Sequence, residues 1–86
     1  MVKDGDLVAI FHSIHRVMKA EKLLKQHRAE ILLIPVPRQL TSDCGLAIRM
    51  APAARAGVWE LLARESLLPA ELYQRHAGQY IPLDLS

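Results

Sequence analysis

A chain of 86 residues supports one domain and excludes two, and at this length only about 60% of the unfolded surface is buried, so the core is thin. With 51% hydrophobic and 23% charged residues, the composition lies well away from that of disordered chains. The net charge of +2 is too small to argue for a nucleic-acid partner, and a single cysteine excludes both an internal disulfide and a CxxC redox pair.

Leu7 to Phe11 is an unbroken apolar run, as expected of a strand buried on both faces in the middle of a sheet. Ser13 offers an N-cap for a helix of about 15 residues, with Val17, Ala20, Leu23 and Leu24 inward and Lys19, Lys22, Lys25 and Gln26 outward. The cluster Arg16, Lys19, Lys22, Lys25 and Arg28 reads as the solvated face of that helix. Ile31 to Val36 is a second strand, placed at a sheet edge because Pro35 and Pro37 lack the N–H a central ladder uses. Arg38 to Asp43 reads as a loop.

From Gly45 the pattern alternates, with Leu46, Ile48 and Met50 against Ala47, Arg49 and Ala51, so a third strand presents one face to a core. Pro52 opens a second helix running to about Glu65, with Ala54, Val58, Leu61 and Leu62 on one side. A last strand is expected over residues 70–76. The tail, residues 77–86, is too apolar to be a solvated terminus; it either covers Trp59 or pairs with a second subunit. The order strand, helix, strand, strand, helix, strand predicts an α+β, ferredoxin-like βαββαβ domain: a four-stranded antiparallel sheet with two helices on one face, its core at about 7–76.

In this topology the third strand runs antiparallel to the first, so its start lies near the end of strand one, where His12, Ser13 and His15 stand. The first turn of helix one then directs its unpaired N–H groups toward Cys44. A helix N-terminus or a cationic neighbour lowers a thiol pKa, and a histidine can take the thiol proton. Arg38 and Arg49 are further cationic candidates. Thr41, Ser42 and Gly45 complete an anion-cradling loop, with Gly45 leaving room for an approaching partner and Asp43 opposing ionisation. On these grounds Cys44 is expected to be a solvent-reachable nucleophile, with His12 and His15 beside it.

Four runs carry a likeness to a known family: Phe11-His12-Ser13-Ile14-His15, Met18 to Lys25, Leu33-Ile34-Pro35-Val36-Pro37-Arg38, and Ser42-Asp43-Cys44-Gly45-Leu46-Ala47-Ile48-Arg49. Together they resemble the selenium/sulfur carrier-like family, with the Pro-Val-Pro-Arg and Cys-Gly-Leu-Ala segments the most specific. The resemblance implies a carrier that holds a chalcogen atom as a persulfide. Cys44 matches the family's cysteine, Gly45 the glycine after it, Arg38 the arginine closing Pro-x-Pro-Arg, and His15 the histidine opening helix one. Asp43 stands where the family has a small hydroxyl residue.

The resulting expectation is a sulfur or selenium carrier rather than a turnover enzyme, with no cofactor and no bound metal. Its partners are a donor enzyme and an acceptor protein, with a homodimer through the tail as a further option. Two other readings stay open. One is a regulatory or interaction module without thiol chemistry. The other is a metal site built from His12, His15 and Cys44 with His76 or Asp43, although the spacing is not a standard zinc signature. No apolar run approaches the about 20 residues of a membrane span, and residues 1–6 are polar and acidic rather than a basic leader, so a cytoplasmic location is expected.

Overall fold

The computed structural model of the chain describes residues 2–40 and 44–85. Among them are five strands and two α-helices: β1 (Leu7–Ile10), α1 (Ile14–Gln26), β2 (Ile31–Pro35), β3 (Leu46–Met50), α2 (Arg55–Arg64), β4 (Glu71–His76) and β5 (Gln79–Leu83). The strands form one sheet in the order β2-β3-β1-β4-β5, and every neighbouring pair is antiparallel. The first four strands have the order expected of a βαββαβ unit; the fifth extends it by one strand.

Local chemistry accounts for most of these elements. All four residues of β1 are buried because it lies between β3 and β4 and is covered on both faces. Ser13 caps α1, its Oγ accepting the Arg16 N–H at 3.3 Å, and Val17, Ala20 and Leu24 turn inward. β2 lies at an edge, as Pro35 requires. The helical segment after Ala51 begins as one turn of 3-10 helix, Pro52–Ala54, before becoming α2.

Alternation along the strands divides the buried side chains between two faces. Leu7, Ala9, Ile48, Met50 and Leu72 meet Val17, Ala20, Leu24, Val58 and Leu62 from the helices in the main core. Val8, Ile10, Ile34 and Ala47 form a smaller core on the other face. Among the described residues, no helix covers this second group. Val2, Val36, Leu40, Tyr73 and Tyr80 pack against it instead, so the segment after β2 folds back over the sheet.

The expected four-stranded sheet is corrected to five strands. β4 and β5 form a hairpin whose turn residues, Ala77 and Gly78, have φ of 51° and 79°. Two left-handed turn residues match the right-handed twist of the flanking strands. Pro82 is tolerated because β5 is an edge strand. Beyond β5, the Leu85 carbonyl accepts the Trp59 indole N–H, and Leu83 and Leu85 pack on the main core, so the tail covers Trp59. Ala77 carries a Cβ in a conformation that favours glycine. Ala77→Gly is therefore expected to raise stability by about 0.5–1 kcal/mol, read as a rise of a few degrees in Tm; an unchanged or lower Tm would mean that the turn is not strained.

Candidate functional site

The register of β1 against β3 pairs Ile10 with Ala47. The end of β1 and the start of β3 therefore meet at one edge of the domain, where Ser13 opens α1 and Cys44 precedes β3. The thiol itself is not solvent-reachable: Cys44 is 4% exposed and belongs to the main core cluster with Phe11 and Val17. Its Sγ donates a long hydrogen bond to the Leu46 carbonyl at 3.6 Å. The expected exposed sulfhydryl is thus a buried one, because Cys44 falls in phase with Leu46, Ile48 and Met50 and turns with them toward the main core, while the Val36 N–H donates to the Gly45 carbonyl at 3.0 Å and extends the β2–β3 pairing. Gly45 is exposed, and a Cβ built there meets nothing within 4 Å.

The other expected site residues divide between the two faces of the sheet. Ser13 is the N-cap, and His15 is exposed in the first turn of α1. His12, at the β1–α1 junction, has a φ of 57°, and its Nε2 lies 2.5 Å from Oε2 of Glu71. Glu71 is paired with Ile10, whose side chain is in the smaller core, so the His12 imidazole is held on the face opposite the cluster that contains Cys44. Arg49 is likewise engaged elsewhere, its Nε donating to Oδ2 of Asp6 at 2.9 Å. Arg38 is exposed in a turn closed by the Leu40 N–H donating to the Pro37 carbonyl. Thr41, Ser42 and Asp43 lie outside the described residues. Among the described residues, no group of three or more His, Cys, Asp or Glu side chains is disposed to hold a metal ion, so His12, His15, His76 and Cys44 form no such cluster.

Two polar networks were not foreseen. In the first, the Tyr73 hydroxyl donates to Oε1 of Glu71 at 2.6 Å while His12 occupies the other carboxylate oxygen. The Tyr73 hydrogen bond, reinforced by His12, holds the Glu71 carboxyl below its ordinary range, and the same carboxylate pushes the Tyr73 phenol up. Nδ1 of His12 is buried and has no hydrogen-bond partner among the described residues. The second is the buried Asp6, which accepts from the Lys3 backbone N–H and from Arg49. Burial alone would raise the Asp6 carboxyl, but the Lys3 N–H and the Arg49 guanidinium together bring it below 3.8. The one signal for the first network is alternation: Glu71, Tyr73 and Arg75 stand two residues apart on β4 and share a face.

Carboxyl pKa values lowered in the folded state contribute stability that is present above the unfolded values of 3.8 and 4.5 and is lost as pH falls through the folded values. Unfolding is therefore expected to become easier below about pH 4.5. Asp6→Asn should lose about 1–3 kcal/mol at pH 7 and show a flatter acid limb in urea titrations. Equal stability of variant and wild type at pH 7 would show that the Asp6–Arg49 pair contributes nothing net.

No helix among the described residues is long and apolar enough to cross a membrane. Neither the curated proteins nor the solved structures compared with this chain include a match. A family model described as "Putative Se/S carrier protein-like" does match, over residues 6–74, a span from Asp6 to Gln74 that takes in β1, both helices, the Cys44 segment and most of β4. By that match, the chain belongs to the Se/S carrier protein-like family.

Proposed function

We propose that this protein carries a sulfur or selenium atom on Cys44. The observation that carries this reading is the family match over residues 6–74, within which Cys44 is the sequence's single sulfhydryl. In the transfer, Cys44 loses its proton to solvent or a nearby base, and the thiolate attacks the terminal sulfur of a donor enzyme's cysteine persulfide. A new S–S bond forms at Cys44, the donor's S–S bond breaks, and the donor thiolate leaves. An acceptor nucleophile then takes the terminal sulfur and releases the Cys44 thiolate. The two steps are together redox-neutral, and selenium follows the same electron count.

Burying a charged persulfide among aliphatic side chains is costly. Reaction at Cys44 therefore requires a local opening at the start of β3, on the side where Gly45 leaves space. The open flank of Gly45 supports an approach from that direction. The test is intact mass after incubation with a cysteine desulfurase and cysteine. The carrier reading expects one added sulfur on the wild type, removed by thiol reductant, and none on Cys44→Ser; an unmodified wild-type chain would overturn it.

The burial of Cys44 favours a second reading, a small regulatory or protein-interaction module in which the thiol is a packing residue. That reading expects no added sulfur and a loss of roughly 1 kcal/mol in stability for Cys44→Ala, as for any small core side chain that is truncated.

A further inference from the structure

The second face of the sheet carries a cleft of about 470 Å³, lined by Ile34, Val36, Pro37, Arg38, Arg75 and Tyr80 among others. It lies where the segment after β2 folds over the smaller core, and Cys44 does not line it. We propose that this cleft binds a small organic anion, its phosphate or carboxylate head between Arg38 and Arg75 and its apolar, planar body against Val36 and Tyr80.

The charge in the cleft is available for a ligand. The Arg38 side chain has no ion-pair or hydrogen-bond partner among the described residues. Arg75 is held in place without being used up: its guanidinium lies 5.5 Å from the centroid of the Tyr80 ring, and Nη1 donates to the Tyr80 hydroxyl at 3.2 Å. Nε faces Oδ1 of Asp4 at 3.6 Å, a carboxylate that is 64% exposed and therefore a weak, screened counterion. Nη2 makes no hydrogen bond among the described residues. Guanidinium groups offer paired N–H donors matched to carboxylate and phosphate oxygens.

The walls favour an organic ligand over a bare inorganic ion. Ile34 and Val36 supply aliphatic surface and Tyr80 an aromatic ring, and the volume falls in the range of small-molecule sites. The Arg38 arm is also stiff. Pro35 and Pro37 fix their φ near −65°, and the Pro37–Leu40 turn is closed by a 3.0 Å hydrogen bond, so little chain entropy is lost when a ligand engages Arg38.

The experiment is an NMR titration of the full chain with phenyl phosphate, with inorganic phosphate and phenol as partial probes. Saturable shifts at Val36, Arg38, Arg75 and Tyr80 are expected, stronger with phenyl phosphate than with inorganic phosphate and absent with phenol. Arg38→Gln should weaken phenyl phosphate by about tenfold or more without altering Tm, because this side chain has no partner to lose. Arg75→Gln should weaken it similarly, but that residue also supports Tyr80, so Arg38→Gln is the decisive variant. Absence of saturable shifts with phenyl phosphate, undiminished binding by Arg38→Gln, or inorganic phosphate binding as tightly as phenyl phosphate would each overturn the proposal. Cys44→Ser is expected to bind phenyl phosphate like the wild type, so this outcome and that of the sulfur-loading test are read independently.

Discussion

Native protein is expected to be alkylated at Cys44 by iodoacetamide at least about a hundredfold more slowly than the same chain unfolded in guanidinium chloride. The sulfur is 4% exposed and is enclosed with Phe11 and Val17 in the main core, so reagent reaches it only through an opening of the structure. An opening that costs about 3 kcal/mol leaves the site accessible less than one part in a hundred. The measurement is the loss of free thiol with time at fixed pH, with and without denaturant. Rates within about tenfold of each other would mean that the start of β3 opens almost freely. In the carrier reading the same measurement sets the local cost that a donor enzyme must offset on docking, and a desulfurase that loads sulfur faster than iodoacetamide reacts would show that the donor itself promotes the opening.

Ile48→Ala is expected to remove about 2–5 kcal/mol, a large share of the total for a domain of this size. Ile48 is fully buried in β3, opposite Ala9 of β1 and Leu33 of β2, and faces the helices. Truncation leaves a cavity that neighbours in a well-packed sheet cannot fill. Thermal unfolding should show a fall in Tm of about 10–20 °C. Leu32→Ala is the control: Leu32 is 41% exposed on edge strand β2, and its truncation should cost less than about 1 kcal/mol. The pair of results tests the register directly, because a slip of one residue exchanges the faces of a strand. A costly Leu32→Ala beside a harmless Ile48→Ala would contradict the placement of Ile48 on the helix-covered face and of Leu32 on the other.

The strand framework around Cys44 was legible before the structure because strand order and direction constrain it. Once strand one is read as central and strand three as its antiparallel neighbour, the end of β1 and the start of β3 fall at the same end of the sheet, as the pairing of Ile10 with Ala47 has it. The state of the thiol was not legible. Polar residues before Cys44 signal a loop, and loops ordinarily face solvent. Whether a loop's last residue turns outward or packs inward depends on which face of the following strand it shares, and here Cys44 falls in phase with Leu46, Ile48 and Met50 and packs inward.

The chain's own residues determined the elements whose cause is local: β1 from an apolar run, α1 from Ser13 and a 3.6-residue stripe, β2 at an edge because prolines cannot serve a central ladder. They also determined the family, since the match follows the sequence across most of its length. Tertiary structure alone decided the long-range partners. His12 meets Glu71 across 59 positions and Arg49 meets Asp6 across 43, because strand register, which no local pattern encodes, brings those side chains to one face. It also decided β5: an Ala-Gly turn and a strand containing Pro82 give weak local signals, and the hairpin exists because β4 presents an open edge and Leu83 and Leu85 have a core to cover.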